Sequence, residues 1–146
     1  MRFNVHQYDV HLMYGGRRRW FTVIVHDTLE QMRRAAVTRM DDASSLATAG
    51  AIFQPALIRQ RYVDGAWVDS APTAHVGTMR LVLGHITAEV VAHECVHAAL
   101  TIFRRDIGDP VIISDDVFEH EEHLAHIAGE LIARTSDALH ERDMWS

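Results

Sequence analysis

The sequence predicts an α+β domain: a small, twisted, mostly antiparallel sheet packed against two long helices. Three observations carry this. Residues 3–83 hold short β-branched and aromatic runs punctuated by Gly-Gly and Asp-Gly turns. From Thr87 onward the apolar residues recur at helical spacing in two long stretches. The chain has 146 residues, enough for one core of ordinary size and too few for two.

The elements follow in order. Phe3 to Met13 reads as a strand, and Tyr14-Gly15-Gly16-Arg17 as its turn. Trp20 to Val25 is the return strand of a hairpin. Asp27 opens a helix with Glu30 three residues on as a capping box, and Leu29, Met32, Ala36, Val37 and Met40 form its apolar stripe. That helix fades at Asp41-Asp42, and 41–50 is loop. Ala51 to Val63 reads as a strand or strand pair interrupted at Pro55. Asp64-Gly65 is the strongest hairpin dipeptide in the chain, with Ala66-Trp67-Val68 as the return. Residues 70–73 are loop, and His75 to Leu83 is a strand. Thr87 is an N-cap for a helix over about 88–103, with Glu89 in its first turn. Asp106 to Pro110 breaks it. Ser114 caps the last helix, which carries Asp115 and Asp116 at its positive end and runs to about Leu139.

Composition narrows the function classes. Apolar residues make up 48% and charged residues 23%, an ordinary globular balance that excludes disorder and low complexity. No run is long and apolar enough for a membrane span, so no membrane partner is expected. The start of the chain has no apolar signal-peptide core, and the single cysteine, Cys95, has no internal partner for a disulfide. A cytoplasmic protein is the expectation. The net charge of −6 is uneven: residues 1–73 carry nine Arg against seven acids, residues 74–146 five Arg against thirteen. An acidic half argues against nucleic acid as the main partner. Arg17-Arg18-Arg19 is the local exception and reads as a solvated hairpin tip. Eleven histidines are an excess that points weakly to metal.

The informative segment is Val90-Val91-Ala92-His93-Glu94-Cys95-Val96-His97. Its His-Glu-x-x-His spacing puts His93 and His97 one turn apart on one helical face, where both imidazoles reach a single tetrahedral zinc ion. Glu94 projects beside that ion. There it can take a proton from a zinc-bound water and return it to a leaving group. At this chain's own His and Glu frequencies about 0.04 chance matches are expected. The surrounding Ala, Val and Cys residues suit a buried metal helix.

This segment resembles the zinc-binding helix of the zincin metallopeptidases. Val90 three positions before His93 and the small or apolar residues after His97 match their extended pattern. The elongated metzincin motif is absent, because 100–103 reads Leu-Thr-Ile-Phe. The resemblance is therefore to the gluzincin type, and to the compact minigluzincins and small HExxH proteins common in phage genomes. It covers residues 76–132 at most. It implies one zincin-like domain over 1–146, with an N-terminal hairpin and helix in 1–45 and a metal-binding core in 75–140. It also implies a Zn2+ cofactor, a peptide or protein substrate, and a third ligand on the last helix.

Several residues of that helix compete for the third position. Phe118, Glu122, Ala125, Gly129 and Ile132 form one stripe, whose small residues would let the helix pass close to the zinc helix with Glu122 at the ion's level. Glu122 is the expected ligand. Glu121 lies on the stripe of Val117, Leu124, Ala128 and Leu131, and His123 or His126 would make a three-histidine site. Gluzincins often carry an Asp four residues after the ligand Glu. Here that position is His126, which could act near the water as a transition-state donor. Cys95 reads as core, Arg80 as a surface residue or an oxyanion partner, His75 and His85 as loop residues, and Tyr62 with Trp67 as hairpin packing.

Two functions follow. The first is a zinc-dependent peptidase binding an extended peptide along 76–83, with Glu94 as base. The alternative is a non-catalytic binding or structural protein on the same scaffold, such as a phage virion or accessory protein, with the N-terminal hairpin and helix as its partner surface. A zinc hydrolase of a non-peptide amide is a third option.

Overall fold

The computed structural model describes residues 6–38, 41–56, 60–69, 74–106 and 117–146. The expected strand start at Phe3, the stripe residue Met40, the loop at 70–73, the break at 107–110 and the Ser114 cap fall outside them. The described chain runs β1 (His6–Tyr14), β2 (Arg17–His26), α1 (Leu29–Ala35), β3 (Ile52–Pro55), β4 (Gln60–Val63), β5 (Ala66–Asp69), β6 (His75–Val82), α2 (Ala88–Asp106) and α3 (Val117–Glu141). This is an α+β architecture with a small mixed sheet.

Four strands form the main sheet in the order β1-β2-β6-β3. β1–β2 and β3–β6 are antiparallel, while β2–β6 is parallel. β6 is therefore central, and the expectation that a peptide would lie along the whole of 76–83 is corrected: β2 pairs with one side of the strand and β3 already occupies the other at Gly77–Arg80. The free edges belong to β1 and β3. Side chains alternate across a strand, so register fixes the core. Tyr8, Val23, Met79 and Phe53 stand opposite one another across all four strands, and all are buried in one cluster. Val91, Cys95, Ala98, Ala99 and Ile102 of α2 and Ile127 and Leu131 of α3 close over this row. Gly77 lets β3 approach β6: a Cβ there would meet the Gln54 carbonyl oxygen at 2.5 Å and Phe53 Cζ at 2.7 Å.

The other face is half covered by α1. Met32, Ala36, Leu46 and Val82 make a small second cluster. Here the N-cap is Thr28, whose Oγ1 accepts from the Gln31 amide, and not Asp27. The helix stops at Ala35, short of the expected Asp41-Asp42. β4 and β5 make a separate hairpin with the expected Asp64-Gly65 turn. Both residues have positive φ, 48° and 82°, as the two-residue turn requires. Arg19 also departs from the solvated-tip reading. Its guanidinium forks onto the Asp106 carboxylate at the end of α2, with Nη2 to Oδ1 at 2.6 Å, and only 12% of its side chain is exposed.

Candidate metal centre and its cleft

α2 begins as the sequence predicts. Thr87 Oγ1 accepts from the Val90 amide at 3.3 Å, and its carbonyl from Val91 at 3.0 Å. The connection ahead of it is pinned from the far end of the chain: Ile86 donates to Ser146 Oγ, and the Ser146 amide to the Ile86 carbonyl. The helix is therefore fixed at its start and along its buried side. Helical periodicity then divides the motif. Val91, Glu94, Cys95 and Ala98 turn inward, while His93, Val96 and His97 are exposed.

The two imidazoles converge. His93 Nε2 and His97 Nε2 lie 3.2 Å apart, with ring centroids 4.9 Å apart and planes at 69°. Two nitrogens bound to one tetrahedral zinc at about 2.0–2.1 Å sit about 3.3 Å apart, so the spacing fits a shared ion. Burial, followed by the neighbouring His93, holds the His97 pKa below its ordinary value. That favours the neutral ring, the form with a lone pair to offer.

Glu94 differs from both. It is 5% exposed, and its Oε2 has no hydrogen-bond partner. Burial raises its pKa, opposed by the nearby His93 and by the Phe53 backbone N–H of edge strand β3. It borders a cleft of about 260 Å³ lined by Gly50, Ala51, Glu89, Val90, His93 and Glu94. The unpartnered oxygen of a buried carboxylate is costly unless something else satisfies it. The donor set of two converging imidazoles and a carboxylate beside them therefore fits a divalent ion with a reacting group next to it.

The expected contribution from α3 is not brought to this place. Among the described residues no three His, Cys, Asp or Glu side chains are grouped to hold a metal ion. Glu122 and Glu121 are exposed, and so are Ala125 and Gly129. The stripe that packs inward is Leu124, Ile127, Ala128, Leu131 and Thr135. A Cβ on Gly129 would meet nothing within 4 Å. The close approach predicted at the small residues is therefore corrected: they face away from α2, because the large apolar side chains of α3 take the core. His123 and His126 lie beside the Tyr14 ring, at 5.6 and 5.9 Å between centroids.

The remaining candidates are placed as follows. Arg80 shares its face of β6 with Val82, opposite α2. It donates to Gln54 Oε1 at 3.0 Å and lies 3.2 Å from His26 Nε2, so it does not reach the cleft as an oxyanion partner. Cys95 is fully buried, donates to Thr135 Oγ1 at 3.5 Å, and its pKa is pushed up to about 11 by burial. His75 opens β6 and packs on Trp20 at 4.3 Å, and is not a loop residue. Tyr62 and Trp67 pair edge to face, yet both are largely exposed. Sequence reasoning missed the role of Gly50 and Ala51, just ahead of β3, as the cleft's second wall. The one signal was the pair of small residues ahead of a strand, which reads equally as a turn.

Comparison of the chain with protein-family models, with curated proteins and with solved structures found no match.

Proposed function

We propose that the chain is a zinc-dependent hydrolase of peptide bonds, working at the cleft between α2 and the Gly50-Ala51 segment that leads into β3. The supporting observation is the 3.2 Å separation of His93 and His97 Nε2 beside a buried carboxylate with a free oxygen. His93 and His97 would hold the ion. When bound, zinc supplies Lewis acidity that polarises a carbonyl and makes a nucleophile available at neutral pH. Glu94 does the proton work. Its Oε2 accepts a proton from the attacking water and later delivers it to the leaving nitrogen. Its raised pKa, caused by burial, moves it toward the range in which one group can do both. Glu122 as third ligand and His126 as donor come from the resemblance alone, and metal analysis must add or remove them.

Elemental analysis of wild type, His97→Ala and Glu122→Ala tests the ligands, and hydrolysis of an unbiased peptide library tests the reaction. Zinc in wild type, its loss in His97→Ala, and cleavage abolished in Glu94→Gln with zinc retained would support the proposal. Full zinc loading without cleavage of any peptide would overturn the catalytic part. That outcome would favour the binding role, for which the exposed Tyr62, Trp67 and Val68 of the β4–β5 hairpin are the structural argument.

A further inference from the structure

The cleft beside Glu94 carries a second carboxylate, Glu89, that the hydrolase reading does not use. Six residues line it: Gly50, Ala51, Glu89, Val90, His93 and Glu94. Two are carboxylates and none is Arg, in a chain with 14 Arg. Glu94 forms the floor, and its Oε2, in a side chain 95% buried, has no partner. Glu89 stands at the exposed rim, one helical turn before His93, and makes no hydrogen bond or ion pair with any described residue. Val90 on one side and Gly50 and Ala51 on the other complete the lining.

From this geometry we infer that the cleft is a subsite for a cationic side chain, arginine or lysine, of an extended peptide, and that Glu89 determines the specificity. The methylene stem of such a side chain lies along Val90 and Ala51, and its charged head reaches the rim carboxylate. At the rim an anionic head would meet the Glu89 carboxylate. A neutral polar head would leave Glu89 solvated and gain little. Glu89 also sits in the first turn of α2, where an acid complements the helix dipole. That structural role predicts a stability effect only. The subsite role predicts discrimination between ligands of the same shape and different charge.

The inference takes its setting from the hydrolase proposal, but its test does not need turnover. N-acetyl-arginine methylamide and its uncharged isostere N-acetyl-citrulline methylamide are titrated into the zinc-loaded protein, and the amide resonances of Gly50, Ala51 and Val90 are followed by NMR. The expected result is binding of the arginine compound about 2- to 5-fold tighter than the citrulline compound, the range of an exposed ion pair. The difference should shrink as salt is raised and vanish in Glu89→Gln, with shifts confined to the cleft in wild type. Equal binding of the two compounds by wild type overturns the inference. So does a preference that persists in Glu89→Gln, because another acid would then be responsible. Failure of the hydrolase reading looks different: the charge preference remains while no peptide is cleaved.

Discussion

α2 and α3 are the two longest helices of the molecule, both are amphipathic, and both carry His and Glu at spacings that suggest metal chemistry. Only α2 turns that spacing into a convergent site. Around the motif its inward residues, Val91, Cys95, Ala98 and Ala99, are small, with the larger Ile102 and Phe103 a turn further on; Glu94 is carried into the interior and the histidines stay exposed. α3 reaches the core through Ile127, Leu131 and Leu139. Of its described acids and histidines, Glu121 and Glu122 end in solvent, His123 and His126 lie against Tyr14, Glu130 pairs with Arg134, and His140 stacks on Trp145. Equal motif density therefore does not give equal chemistry. The deciding quantity is which face the large apolar residues claim.

The largest effect that could break this comparison is on zinc. On the proposed function, His97→Ala should fail to retain zinc, because one imidazole cannot hold the ion against solvent. Glu122→Ala should keep it, because Glu122 lies on the exposed face of α3. Inductively coupled plasma analysis of the dialysed proteins reads both. Zinc lost in Glu122→Ala would mean that α3 turns its acidic face to α2 on loading.

Next in size is the packed face of α3. Leu131 is fully buried against the same cluster as Met79 and Ala99. Truncating it to Ala should cost about 2–5 kcal/mol in urea unfolding, the range for a core Leu. The matching change on the other face, Glu122→Ala, should fall within about 0.5 kcal/mol. Similar values for the two would remove the distinction between the faces.

Much of the fold could be read before the structure. The Asp64-Gly65 turn, the Thr87 cap, the buried Cys95 and the two long helices are local matters, fixed by backbone conformation, capping chemistry and apolar period. His93, Glu94 and His97 were legible for the same reason, since i and i+4 on one helix need no tertiary information. What failed was long-range. The parallel ladder β2–β6 joins residues more than fifty positions apart, and it makes β6 central and β3 the edge. The Arg19–Asp106 pair spans 87 positions. The facing of α3 depended on weighing small residues against large ones for the same interface, and the large ones won because they bury more apolar surface.

The junction of the two helices gives a pH test. Cys95 of α2 donates to Thr135 of α3. Burial pushes the thiol pKa from 9.0 to about 11. A group whose folded pKa lies above its unfolded value adds to stability below the unfolded value and ceases to do so as pH rises through the folded one. Stability should therefore fall between pH 9 and about 11, as the unfolded chain loses a proton that the folded chain retains. Cys95→Ala should flatten that part of a curve of Tm against pH relative to wild type. The thiol should also resist a disulfide reagent at pH 8 until the protein unfolds. Rapid labelling of the native protein would mean that α2 and α3 separate readily there.

The smallest effect separates the two readings of α3 by its sign. Sequence periodicity treats Gly129 as a contact residue that lets two helices meet, and in that case an added methyl forces them apart and destabilises. The structure leaves Gly129 exposed in the middle of a 25-residue helix, with open space where a Cβ would stand. Gly129→Ala should then stabilise the protein by up to about 1 kcal/mol, through lower backbone entropy in the unfolded chain and better helix propensity. Equilibrium urea unfolding resolves a change of this size if the m-value is unchanged. A shift of the midpoint to lower urea would return the small-residue stripe to the α2 interface and bring Glu122 back toward the histidines with it.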